Sequence, residues 1–169
     1  DDLGASAYYN FDRHFSRGVE TSIDVRPTNR TTVFASYTFT NSDLRAYSRP
    51  TFPVGPVTSK DQPSFGIPEH QFTLVATQRI KRFWVSFDLL TTSTYLARMF
   101  SNSTFNTYIY RFAGNRRGDL TAGYTFGLKK EKMSLRLFGT IENLFDDEYY
   151  ENGYRTAGAN GRVGLTFGF

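Results

Sequence analysis

The stretch Gly161-Arg162-Val163-Gly164-Leu165-Thr166-Phe167-Gly168-Phe169 alternates without a slip. Successive side chains of a strand point to opposite faces. Val163, Leu165, Phe167 and Phe169 therefore share one face, and Arg162, Gly164, Thr166 and Gly168 share the other. A row of exposed aliphatic and aromatic residues ending on Phe is a poor solution in water. It is the required one in lipid, where the outer face of a strand is apolar and the inner face is polar or small. The stretch predicts a membrane-spanning strand.

The same pattern recurs upstream. Val19, Thr21, Ile23 and Val25 oppose Glu20, Ser22, Asp24 and Arg26. Val33, Ala35, Tyr37 and Phe39 oppose Ser36, Thr38 and Thr40. Further strands are expected over 69–80, over 83–89 with a continuation to Ala97, over 120–128 after an irregular approach at 114–118, and over 133–142. Ala5, Ala7, Tyr9 and Phe11 outline a weaker one. The connections alternate in length. Those near 27–30, 81–82 and 129–132 are short. Those near 42–68, 98–107 and 146–160 are long, and the first carries five of the six prolines, predicting an irregular loop. Outer-membrane barrels combine short periplasmic turns with longer extracellular loops.

Bulk properties narrow the class. No segment approaches the ~20 apolar residues of a membrane helix, and mean hydropathy is −0.44, a value that alternating barrel strands can produce. There is no cysteine, so neither a disulfide framework nor a thiolate metal site is available. The net charge of +4 comes without a basic stripe or recognition motif, so nucleic acid is not an expected partner. No phosphate-binding loop and no G-x-S-x-G nucleophile motif is present. His14 and His70 are the two histidines, too few for a histidine-based metal centre. The expectation is no catalytic residue, no metal and no cofactor.

About seven strands are expected, all antiparallel, with no helix. An open seven-stranded sheet leaves unpaired edges in lipid, and bacterial single-chain barrels have even strand numbers of about 8 or more. Either residues 5–13 supply an eighth strand and close a small autonomous barrel with a structural or porin-like role, or the chain pairs with strands of a larger one.

Several segments bear on that choice. Ile141-Glu142-Asn143-Leu144-Phe145-Asp146-Asp147-Glu148-Tyr149-Tyr150 resembles the "ENLFD…Y" signature of TonB-dependent outer-membrane receptors. Ser16-Arg17-Gly18-Val19-Glu20, Arg26-Pro27-Thr28, Phe34 to Thr40 and Pro68-Glu69-His70 are similar to other pieces of that family, in the same order. Arg162, Gly164, Phe167 and Phe169 resemble the C-terminal assembly signal of bacterial outer-membrane barrels. The resemblance spans about residues 16–169. It implies that residues 1–169 are the C-terminal section of a 22-stranded barrel, without its plug, in the outer membrane of a Gram-negative bacterium. The implied function is TonB-dependent uptake of a scarce ligand such as a ferric siderophore, cobalamin, haem or an oligosaccharide. The implied partners are membrane lipid, lipopolysaccharide, the remaining strands and plug of the same receptor, TonB through the N-terminal part, and the barrel-assembly machinery.

On this reading Arg98, Arg111, Arg116 and Arg117 lie towards the extracellular ends, where arginine can meet an anionic chelate, lipopolysaccharide phosphate or solvent. Tyr149, Tyr150 and Tyr154 line a ligand vestibule or belong to the outer aromatic girdle. Asp146, Asp147, Glu148 and Glu151 read as a solvated acidic loop without calcium-loop spacing. Trp84 and Asp88 point to the lumen, where a plug would rest. His70, beside a proline at a strand start, reads as structural.

Overall fold

The computed structural model describes residues 13–48, 58–128, 132–151 and 154–169. The expected strand over 5–13 lies outside the described residues except for Arg13. The described chain is all β. Its strands are β1 (Arg13–Thr28), β2 (Thr31–Ser48), β3 (Thr58–Pro63), β4 (His70–Ile80), β5 (Phe83–Thr92), β6 (Tyr95–Ser101), β7 (Asn106–Phe112), β8 (Arg116–Leu128), β9 (Met133–Glu142), β10 (Tyr150–Glu151), β11 (Tyr154–Arg155) and β12 (Asn160–Gly168). Seven of them form one antiparallel meander in the order β1-β2-β4-β5-β8-β9-β12, matching the expected number. The sheet is not closed on itself. β1 and β12 each carry one edge with no partner among the described residues.

The strands outgrow their predicted bounds wherever they leave the alternating region. β1 starts at Arg13. β2 runs on to Ser48, and β3 pairs with that extension from Asp43↔Pro63 to Ser48↔Thr58. The stretch 42–68, expected as an irregular loop, is thus partly a hairpin. Pro63 is tolerated because β3 is an edge strand. The expected loop 98–107 shrinks to the turn 102–105 between β6 and β7, which pair from Tyr95↔Phe112 to Ser101↔Asn106. The loop 146–160 holds the small β10–β11 ladder. The sharp turns at 29–30 and 81–82 occur as predicted, with Lys81 at φ 56°.

The sheet is a single layer, and its two faces differ in chemistry. On one lie Val19, Ile23, Leu74, Phe83, Phe87, Tyr124, Phe126, Leu137, Leu165 and Phe167, brought together by the cross-strand register. These residues are not covered: Val19 is 64% exposed, Ile23 57%, Val163 78% and Leu165 69%. Among the described residues only Leu44 and Tyr149 are buried hydrophobics. A water-soluble sheet buries its apolar face against a second layer. A barrel wall gives that face to hydrocarbon instead. β9, with ten residues, and β12, with nine, have the ~9–11 residues that cross a bilayer at a tilt.

Candidate functional site

The opposite face is polar, and the register arranges it in bands. One row runs Asp24, Phe34, Val75, Asp88, Asp119 across five strands. The next runs Thr32, Thr77, Ser86, Thr121, Thr140, Arg162. Its hydroxyls bond across strands, Thr77 to Ser86 at 3.0 Å and Thr121 to Thr140 at 3.0 Å. A third runs Arg79, Trp84, Gly123, Phe138, Gly164. Large and small residues alternate along it because the rings lie flat on the strands. A β-carbon at Gly123 would fall 2.7 Å from the Trp84 indole nitrogen, and one at Gly164 would collide with the Phe138 ring. Aromatic cover over glycine is a recognised way to hold a sheet in register. Arg136 completes the row's lower margin with its guanidinium 5.9 Å from the Trp84 ring centre. The Trp84 Nε1–H is buried and has no hydrogen-bond partner.

Towards the long-loop end the polar face carries an ionic cluster. Arg117 Nε and Nη2 donate to both Asp119 oxygens at 2.9–3.2 Å. Glu142 takes Arg162 at 2.8 Å and stands 3.8 Å from Arg117. Asn143 sits behind this cluster, 2% exposed, with φ 50°. Its backbone N–H donates to Asp119 Oδ1 at 2.9 Å. Its side chain donates to the carbonyls of Asp147 and Ala157 at 3.0 and 3.3 Å and accepts from Asp147 N–H at 3.2 Å. Asp146 accepts from Ala159 N–H at 2.8 Å, and Asp147 from Arg116 N–H at 3.0 Å. The carboxylates expected as a solvated acidic loop are thus partly backbone clamps. Glu148 does face solvent, paired with Arg155 at 2.8 Å.

The candidate arginines and tyrosines do not form one site. Arg117 and the buried Tyr149 line a polar-face cavity with Glu142, Asn143 and Asn160. Arg116 lies on the other face, 4.9 Å from the Phe145 ring centre, and that ring leaves no room for a β-carbon at Gly118. Arg98 packs over Phe65 at 4.3 Å. Arg111 is opposite Leu96 on the β6–β7 hairpin. Tyr150 joins an aromatic run on that hairpin: its carbonyl accepts from the Tyr95 hydroxyl at 3.0 Å, and its ring meets Phe112, which stands beside Tyr110 and Tyr95. Tyr154 is largely exposed. Trp84 and Asp88 both lie on the polar face, and of the assembly-signal residues Arg162 and Gly164 lie there too, while Phe167 lies on the apolar face.

Each histidine has hydrogen-bond partners of its own. His70 Nδ1 is 2.7 Å from the Tyr37 hydroxyl. His14 Nε2 is 3.0 Å from Ser42 Oγ and 2.9 Å from Ser64 Oγ, a contact that no local pattern announced because the three residues come from distant segments. Among the described residues no cluster of His, Asp and Glu could hold a metal ion.

Residues 1–144 match the family described as TonB dependent receptor-like, beta-barrel, whose members are outer-membrane receptors and transporters rather than enzymes. No curated protein and no solved structure matches the chain. A family match over most of the sequence, an antiparallel meander with an uncovered apolar face and a banded polar face lead to one conclusion: this chain belongs to the TonB-dependent receptor β-barrel family and is a protein of the outer membrane.

Proposed function

We propose that residues 1–169 are the C-terminal wall of a receptor barrel whose plug comes from another part of the same polypeptide, and that the receptor imports a scarce ligand by TonB-dependent transport. The observation that carries this reading is the two-faced single sheet whose β1 and β12 edges have no partner among the described residues, since an open sheet in lipid needs further strands. Trp84 and Asp88 face the plug, and TonB acts through the plug. Arg117 with Tyr149, together with the exposed Arg98, Arg111 and Tyr154, contributes to the extracellular vestibule. Arg116, on the apolar face, is suited to lipopolysaccharide phosphate. The barrel-assembly machinery reads the terminal strand. The ligand is a ferric siderophore, cobalamin, haem or an oligosaccharide.

The intact mass of the native polypeptide, extracted from outer membranes in detergent, tests this. A mass several times the 19.3 kDa of this chain is expected. A mass near 19.3 kDa would instead establish an autonomous small barrel closed by residues 5–13.

A further inference from the structure

The short-turn end of the polar face is a continuous basic groove. One hollow of about 370 Å³ is lined by Thr77, Arg79, Trp84 and Arg136 among others. A second, of about 610 Å³, is lined by Arg26, Arg30, Thr77 and Arg79 among others. They meet at Thr77 and Arg79, and among the described residues no acidic side chain lines either. Among the described residues, none of Arg26, Arg30, Arg79 and Arg136 is ion-paired to a carboxylate. On β5 and β8 the nearest polar-face carboxylates, Asp88 and Asp119, stand higher, with Ser86 and Thr121 between them and the Trp84–Gly123 level; on β1 Asp24 precedes Arg26 by two residues.

We propose that this groove is the seat of an acidic segment of the plug. The inference rests on the reading of the chain as part of a plugged barrel, and adds where and by what chemistry the plug is held. The groove opens on the polar face, away from the apolar face given to lipid, so a lipid headgroup in the surrounding leaflet does not reach it. Like charges gathered in one concavity repel, and carboxylates placed among them relieve that repulsion while excluding a wrongly oriented partner. Trp84 gives the groove a flat floor, seated on Gly123 and flanked by Arg136. The axial position is fixed as well: an acidic plug segment displaced upward past the Thr/Ser row meets Asp88 and Asp119.

The experiment uses the full-length protein in outer membranes, with a photo-crosslinking residue in place of Thr77, which lines both hollows, or of Gln71, on the same face of β4 six residues away. Crosslinked peptides are identified by mass spectrometry. The expected result is that both positions capture plug peptides and that the Thr77 product contains Asp or Glu. Arg79→Glu combined with Arg136→Glu should lower the Thr77 yield about tenfold, leaving the Gln71 yield within about twofold. If Gln71 captures plug but Thr77 captures lipid, another polypeptide or a plug peptide without acidic residues, the groove assignment falls and the plugged-barrel reading stands. An unchanged Thr77 yield in the double reversal also overturns the assignment. If neither position captures plug, the plugged-barrel reading falls, and the groove assignment with it.

Discussion

Asn143 and Asp119 are joined by a 2.9 Å hydrogen bond from the Asn143 backbone N–H, just past the end of β9, to the Asp119 carboxylate on β8. The same Asp119 holds the Arg117 fork, and the same Asn143 holds the loop that leads to β12. The E-N-L-F-D segment is thereby the joint between the polar face and a long loop.

Asn143→Ala removes three side-chain hydrogen bonds at a buried site and leaves a residue with no local polar group at φ 50°. Unmade buried hydrogen bonds and a left-handed non-glycine residue together cost about 2–4 kcal/mol. Asn143→Gly keeps the backbone conformation and should fall between wild type and Ala. Thermal unfolding of the full-length protein in detergent, with limited proteolysis inside 144–159, checks the order. Equal midpoints for Ala and wild type would show that the clamp contributes nothing.

Asp119→Ala should cost more than Glu142→Ala. Asp119 accepts from Arg117 and from the Asn143 N–H, so its loss leaves two donors unmet, about 2–3 kcal/mol. Glu142 holds Arg162 in a pair whose arginine side chain is 68% exposed, and exposed pairs contribute about 0–1 kcal/mol. The same unfolding assay ranks them, and high salt should weaken the Glu142 contribution first.

The parts of the fold open to sequence reasoning are those where one physical constraint acts on every residue. Val19 to Val25, Phe72 to Ala76, Leu120 to Leu128 and Val163 to Phe169 cross lipid, so period two is enforced and the strands can be read directly. The extension Asn41 to Ser48 and its partner β3 leave that environment. There Asn-Ser-Asp-Leu-Arg-Ala-Tyr-Ser carries no clean alternation, and strand structure comes from pairing alone, so the proline-rich stretch concealed it. Trp84 and Asp88 could be assigned to the polar face by parity. That Trp84 rests on Gly123 could not, because it depends on the register between β5 and β8. Arg98, Arg111, Arg116 and Arg117 look alike as four arginines near long loops, yet strand parity and hairpin geometry send them to different surroundings.

Gly164 and Phe138 form a testable pair. Gly164→Ala places a β-carbon inside the Phe138 ring position, and overpacking of this kind costs about 1–3 kcal/mol. Phe138→Ala relieves the collision. The double variant should therefore be less destabilised than the sum of the singles, with a coupling of about 1 kcal/mol or more. Strict additivity would mean that the ring moves aside freely and that Gly164 is not required by it.

Leu165 and Thr166 separate a lipid wall from a wet one at adjacent positions. Leu165 is 69% exposed and lies opposite Leu137 on the apolar face; Thr166 lies opposite Arg136 on the polar face. If the apolar face met water, Leu165→Arg would be a surface substitution worth within about 0.5 kcal/mol. Facing hydrocarbon near the middle of a nine-residue strand, it should cost about 2–4 kcal/mol. Thr166→Glu, beside Arg136, should stay within about 0.5 kcal/mol of wild type. Folding of each variant into lipid vesicles, followed by heat-modified mobility on gels, measures the difference. Loss of the folded band for Leu165→Arg alone is the expected outcome. Equal tolerance at both positions would place the Val163–Phe169 face in water and remove the membrane assignment of β12.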